Sequence, residues 1–113
     1  MFRRMSIAVA AVAMMAGAAY ADPIEGNWKT EAGSTAQISA CGSAFCIKLV
    51  SGGHSGKQIG KMTASAGSYS GTITDPANDK TYKGKASISG STLKMSGCVL
   101  GGLICRSQSW NKL

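Results

Sequence analysis

The stretch ASISGSTLKMSGCVLGGLICRSQSW, residues 86–110, decides the fold. Two turn signals, Gly90-Ser91 and Gly101-Gly102, divide it, and around them apolar and polar residues alternate with a period of two. Such alternation marks strands with one buried face. As a two-residue hairpin turn, Gly90-Ser91 pairs Ile88 with Leu93 and Ala86 with Met95. Gly101-Gly102 as the next such turn pairs Val99 with Ile104, Gly97 with Arg106, Met95 with Gln108 and Leu93 with Trp110. It also sets Cys98 opposite Cys105, on the outer face with Lys94, Ser96, Ser107 and Ser109.

The alternation extends upstream. Asp75 to Lys80 reads as a turn that pairs Ile73 with Tyr82, Gly71 with Gly84 and Tyr69 with Ala86. These hairpins assign the same residues inward, and a one-residue slip would turn every side chain over. Glu31-Ala32-Gly33 suits a three-residue loop pairing Trp28 with Ala36 and Gly26 with Ile38. A turn at Ser43-Ala44 sets Ile38 against Leu49 and Ala40 against Ile47, with Cys41 opposite Cys46 on the outer face. Ser51 to Gly56 is a Gly-rich loop, and the inward face of residues 57–63 is undetermined by the pattern. Eight strands are predicted, at 25–30, 34–41, 45–51, 57–63, 68–75, 80–89, 92–100 and 103–111. The expected fold is all-β, an eight-stranded antiparallel up-and-down barrel, with a sandwich as the alternative.

Residues 1–21 read as a secretory signal: a basic start with Arg3 and Arg4, an apolar run from Ile7 to Ala16, and a small-x-small site at Ala19-Tyr20-Ala21. The Arg3-Arg4 pair also hints at twin-arginine export, though its surroundings fit poorly. Cleavage between Ala21 and Asp22 leaves residues 22–113 as a single disulfide-stapled domain in the periplasm or secreted. The apolar run is too short to span a bilayer, so the chain is not expected to be membrane-spanning. In an oxidising compartment Cys41, Cys46, Cys98 and Cys105 should be paired, and the hairpins favour Cys41–Cys46 and Cys98–Cys105. Two other connectivities are open to four cysteines. Their spacing fits neither a zinc site nor a Cys-x-x-Cys redox pair.

Of 12 basic residues, ten remain after Arg3 and Arg4 are removed, against five acids, a mature charge of +5. That balance admits an envelope polyanion or an acidic protein as partner. The lysines are scattered without interleaved aromatics, which argues against nucleic acid. His54 is the single histidine and has no nucleophile or carboxylate partner that spacing proposes. No catalytic constellation, metal cluster or cofactor motif is evident, so no enzyme is expected.

The pattern turns Arg106 inward, beside Val99, Ile104, Gln108 and Trp110. A charge there must be paired or stacked. It either stacks on Trp28 or Trp110 at one end of the barrel, or recognises an anion at the bottom of a cavity. The inward list also holds Ala36, Ala40, Gly71, Gly84, Ala86 and Gly97. So many small residues let the barrel flatten, or leave a cavity lined by Trp28, Phe45, Tyr69, Tyr82, Met95, Arg106 and Trp110. A small apolar or amphipathic ligand would suit it. The other reading is an inhibitor or envelope-interaction protein acting through the Ser51–Gly56 loop.

Gly26-Asn27-Trp28 on the first strand, with Arg106 on the last, resembles the Gly-x-Trp and closing basic residue of the lipocalin and calycin barrels. The resemblance implies that the basic side chain packs across the tryptophan at the closed end. Residues 22–30, 41–46, 73–82 and 106–110 are similar, in order and spacing, to small exported bacterial proteins of domain-of-unknown-function family 2147. That resemblance implies a lipocalin-like barrel in the periplasm or outside the cell, and no activity. The chain is shorter than typical members around Ser51–Lys57, and the Cys98/Cys105 pair departs from the family pattern.

Overall fold

The computed structural model describes residues 22–113, so the expected secretory segment lies outside the described residues. Eight strands follow in order: β1 Gly26–Lys29, β2 Thr35–Cys41, β3 Ala44–Leu49, β4 Gln58–Ser65, β5 Ser68–Asp75, β6 Lys80–Ser89, β7 Thr92–Val99 and β8 Ile104–Lys112. Each pairs antiparallel with the next, and β8 returns to β1 to close a barrel. The closing seam is short, Trp28 against Lys112 and Lys29 against Asn111. Closure removes the unpaired edges that an open sheet would present.

The register is the predicted one in four hairpins. Ile88 faces Leu93 and Ala86 faces Met95. Leu93, Gly97 and Cys98 face Trp110, Arg106 and Cys105. Tyr69 faces Ala86 and Ile73 faces Tyr82, and Trp28 faces Ala36. The β7–β8 connection is longer than a two-residue turn, with a 3-10 turn at Leu100–Gly102, yet the pairing of Val99 with Ile104 is kept.

The β2–β3 hairpin corrects the expected one. Its turn is Gly42-Ser43, not Ser43-Ala44, so Ile38 faces Ile47, Ala36 faces Leu49, and Cys41 faces Ala44 rather than Cys46. Gly42 has φ +69°, a conformation that glycine adopts without the cost a Cβ brings, and this draws the turn one residue earlier. Moving the turn centre by one residue moves the register by two, so every face is retained. Cys46 instead faces Ser39, and the Cys41–Cys46 bond runs diagonally over a Cα separation of 5.8 Å.

Both disulfides are formed, Cys41–Cys46 and Cys98–Cys105. Cys98 lies on the outward register but is buried, flanked across the strands by Lys83 and Cys105. The core is built from Ile24, Trp28, Ile38, Ile47, Met62 and Leu93, all with essentially no exposure. Burial of aliphatic side chains of this size stabilises by roughly 1.5–3 kcal/mol each. Ala40, inward by register, lies exposed near the end of β2.

β4 explains its own ambiguity. Ile47 faces Gly60 and Lys48 faces Gln58, so Ile59 is an extra residue in a bulge. Ile59 and Gly60 are both buried, which breaks the alternation at that point.

Candidate ligand cavity

The two ends of the barrel differ. At one end the chain entering β1 folds across the opening. Asp22 Oδ1 accepts from the Ile24 amide at 3.0 Å and from the Tyr69 hydroxyl. Trp28 Nε1 donates to the Ile24 carbonyl at 2.9 Å. Lys112 Nζ stands 4.7 Å from the Trp28 ring centroid and donates to the carbonyls of Glu25 at 2.7 Å and Pro23 at 3.2 Å. Gly26 admits that ammonium, because a Cβ there would lie 3.1 Å from Nζ, and its φ of +130° suits glycine alone. Phe45 meets Tyr69 edge-to-face, with ring centroids 6.0 Å apart.

This closed end corrects one expectation drawn from the lipocalin resemblance. The basic residue across Trp28 is Lys112, not Arg106. Arg106, Gln108, Trp110 and Lys112 share the inward face of β8, and the β1–β8 seam brings Lys112 alone level with Trp28.

Burial, followed by the hydrogen bond to Asp22 and that carboxylate's charge, pushes the Tyr69 phenol up to about 12 from its ordinary 10. The native state therefore favours the neutral phenol more than the unfolded chain does. Its contribution is fully present below pH 10 and is lost as pH rises towards 12. Two units correspond to roughly 2–3 kcal/mol. Urea denaturation at stepped alkaline pH should show that decline, and Tyr69→Phe should lose that component of it. A variant with the same alkaline slope as the parent would refute the assignment. Comparing the two chains removes the shared titration of lysines.

The opposite end is open. A cavity of about 770 Å³ enters there, with Leu49, Ile59, Ile73, Met95 and Trp110 as its apolar walls and floor and Tyr82, Arg106 and Gln108 along its side. Its rim includes His54 and the segment Asp75-Pro76-Ala77. Trp110 is buried and its Nε1 donates to Gln108 Oε1 at 2.9 Å. Lys57 Nζ reaches Asp79 Oδ1 at 2.6 Å and the Pro76 carbonyl at 3.3 Å, joining two rim loops. Both partners are well exposed, so the pair adds little stability and mainly restrains the loops.

The seven candidate cavity residues are thus divided between the ends. Tyr82, Met95, Arg106 and Trp110 line the open cavity. Trp28, Phe45 and Tyr69 pack at the closed end. Arg106 is exposed to the cavity and has neither a salt bridge nor a ring partner among the described residues. Leu49, Ile59 and Ile73 were not expected in the lining. Leu49 and Ile73 already faced inward by register, whereas Ile59 could be recovered only with the β4 bulge.

The small inward residues do two different things. A Cβ on Gly71 would overlap the Lys61 carbonyl oxygen, and one on Gly84 would lie 2.5 Å from Met62 Cε. These glycines let β4, β5 and β6 pack closely together. A Cβ on Gly97 would be 3.4 Å from its nearest neighbour, Ile73 Cγ2. The wall is therefore less tightly packed where the cavity opens.

Among the described residues no group of three or more His, Cys, Asp or Glu is placed to hold a metal ion, and no helix is long and apolar enough to cross a membrane. No curated protein and no solved structure matches the chain. A family match spans residues 54–112, from the rim loop through β8, and so includes the segments 73–82 and 106–110 but not 22–30 or 41–46. With just over half of its length matched, the chain belongs to the family described as an uncharacterized protein conserved in bacteria, DUF2147.

Proposed function

We propose that the chain is an exported, non-enzymatic module that takes a small apolar or amphipathic ligand into the open end of its barrel. The observation that carries this reading is the cavity of about 770 Å³, with an apolar floor and Arg106 on its wall without an ion-pair partner among the described residues. Pockets for small ligands have volumes of this order and combine an apolar lining with a few orienting polar groups. A cation beside apolar walls suits a ligand with a hydrocarbon body and an anionic head. The two disulfides favour an oxidising compartment, in keeping with the periplasm or secretion.

A long-chain fatty-acid anion and the matching alcohol separate the head from the body. Titration of residues 22–113 with each, followed by tryptophan fluorescence, should show both entering. Arg106→Gln should weaken the acid about tenfold while changing the alcohol little, since a charge-assisted contact supplies that order of difference. Absence of binding by either probe, with ligand-free protein recovered from its own host by native mass spectrometry, would overturn the proposal.

A further inference from the structure

Beside the mouth, the β7–β8 hairpin leaves apolar residues exposed, Leu100 and Leu103 at its tip and Val99 and Ile104 on the lip of the cavity. Leu103 is 86% exposed, Leu100 68%, Ile104 53% and Val99 40%, and the Cys98–Cys105 bond clamps the hairpin directly beneath them. Leu100 also has φ +54°, a left-handed conformation that a glycine or asparagine adopts at lower cost. The fold thus keeps a leucine where backbone preference disfavours one and where the side chain contributes little to the core. Both costs fall on the same four-residue loop.

We propose that this tip docks the barrel on an anionic lipid bilayer, mouth towards the surface. The tip is narrow, convex and aliphatic, whereas stable protein interfaces bury about 800 Å² per partner and are enriched in aromatic residues. The mouth half of the barrel bears Lys29, Lys48, Lys57, Lys80 and Lys83 against Glu31, Asp75 and Asp79. That surplus is complementary to anionic headgroups, and the aliphatic tip reaches past it into the acyl boundary. Lys83 stands opposite Cys98, immediately behind the tip. The inference does not require the cavity to hold a ligand, because its readout is vesicle binding.

Leu100→Asn with Leu103→Asn removes the apolar contact while leaving the disulfide intact, and asparagine tolerates the backbone at position 100. Residues 22–113 and this double variant would be sedimented with vesicles of phosphatidylcholine plus phosphatidylglycerol and with phosphatidylcholine alone. The parent should bind the anionic vesicles, more weakly as salt is raised, and the variant at least about tenfold more weakly, since two well-exposed leucines no longer enter the lipid. The variant's melting temperature should equal or exceed the parent's. Equal binding by both chains, or none by the parent, overturns the proposal. So does a parent dimer that the variant abolishes, which would assign the tip to a second copy.

Discussion

Trp28→Ala is expected to destabilise the barrel by about 4 kcal/mol, within the range for removing a fully buried large aromatic side chain. The ring has no exposure, and three separate elements depend on it. Its indole N–H satisfies the Ile24 carbonyl and so holds down the segment that crosses the closed end. Its face carries the Lys112 ammonium, whose other contacts pin that segment to β8. It also pairs across the short seam that shuts the barrel. For a domain of this size such a loss lowers the melting temperature by roughly 15–30 °C. Trp28→Phe keeps an aromatic face for Lys112 and gives up the N–H, so its melting curve should fall between the two. A loss below about 1 kcal/mol for Trp28→Ala would show that the closed end contributes little to stability, since cavity formation alone costs more than that.

Gly71→Ala is expected to cost about 3 kcal/mol or more, a large effect for one methyl group. The added carbon would overlap the Lys61 carbonyl oxygen and lie 2.9 Å from Met62 Cα. Both obstacles are backbone of the neighbouring strand, so no rotamer change relieves them. β4 and β5 would have to separate where Met62 faces Gly71. Gly97→Ala is the internal control. Its new carbon would meet Ile73 Cγ2 at 3.4 Å and Tyr82 Cβ at 3.5 Å, ordinary contacts that should leave stability nearly unchanged. Equal urea midpoints for the two variants would refute the steric account.

The strand order and most of the register were legible because each hairpin turn fixes a parity, and the parities agreed. Even the misplaced β2–β3 turn kept Ile38 and Ile47 inward, since the error was an even number of residues. The closed end was less legible. Asp22-Pro23-Ile24 carries no strand pattern, and its role depends on Trp28, Tyr69 and Lys112 converging from three strands. Arg106 and Lys112 share a face, so alternation alone could not say which would reach Trp28. The cavity was half legible for a related reason. Glycine at an inward position is compatible with tight strand contact, as at Gly71, and with slacker packing, as at Gly97. That distinction depends on strand coiling, which period-two patterning does not encode.

Both ends of the described chain lie at the closed end. Asp22 is held by Tyr69, the Lys112 amide donates to Ser91, and the Leu113 amide donates to Asn27. Whatever is joined to either terminus is therefore a tether attached to the base, and it leaves the mouth pointing away from its anchor. A surface that holds the chain by either end would face the closed end, with the cavity and the leucine tip turned away from it.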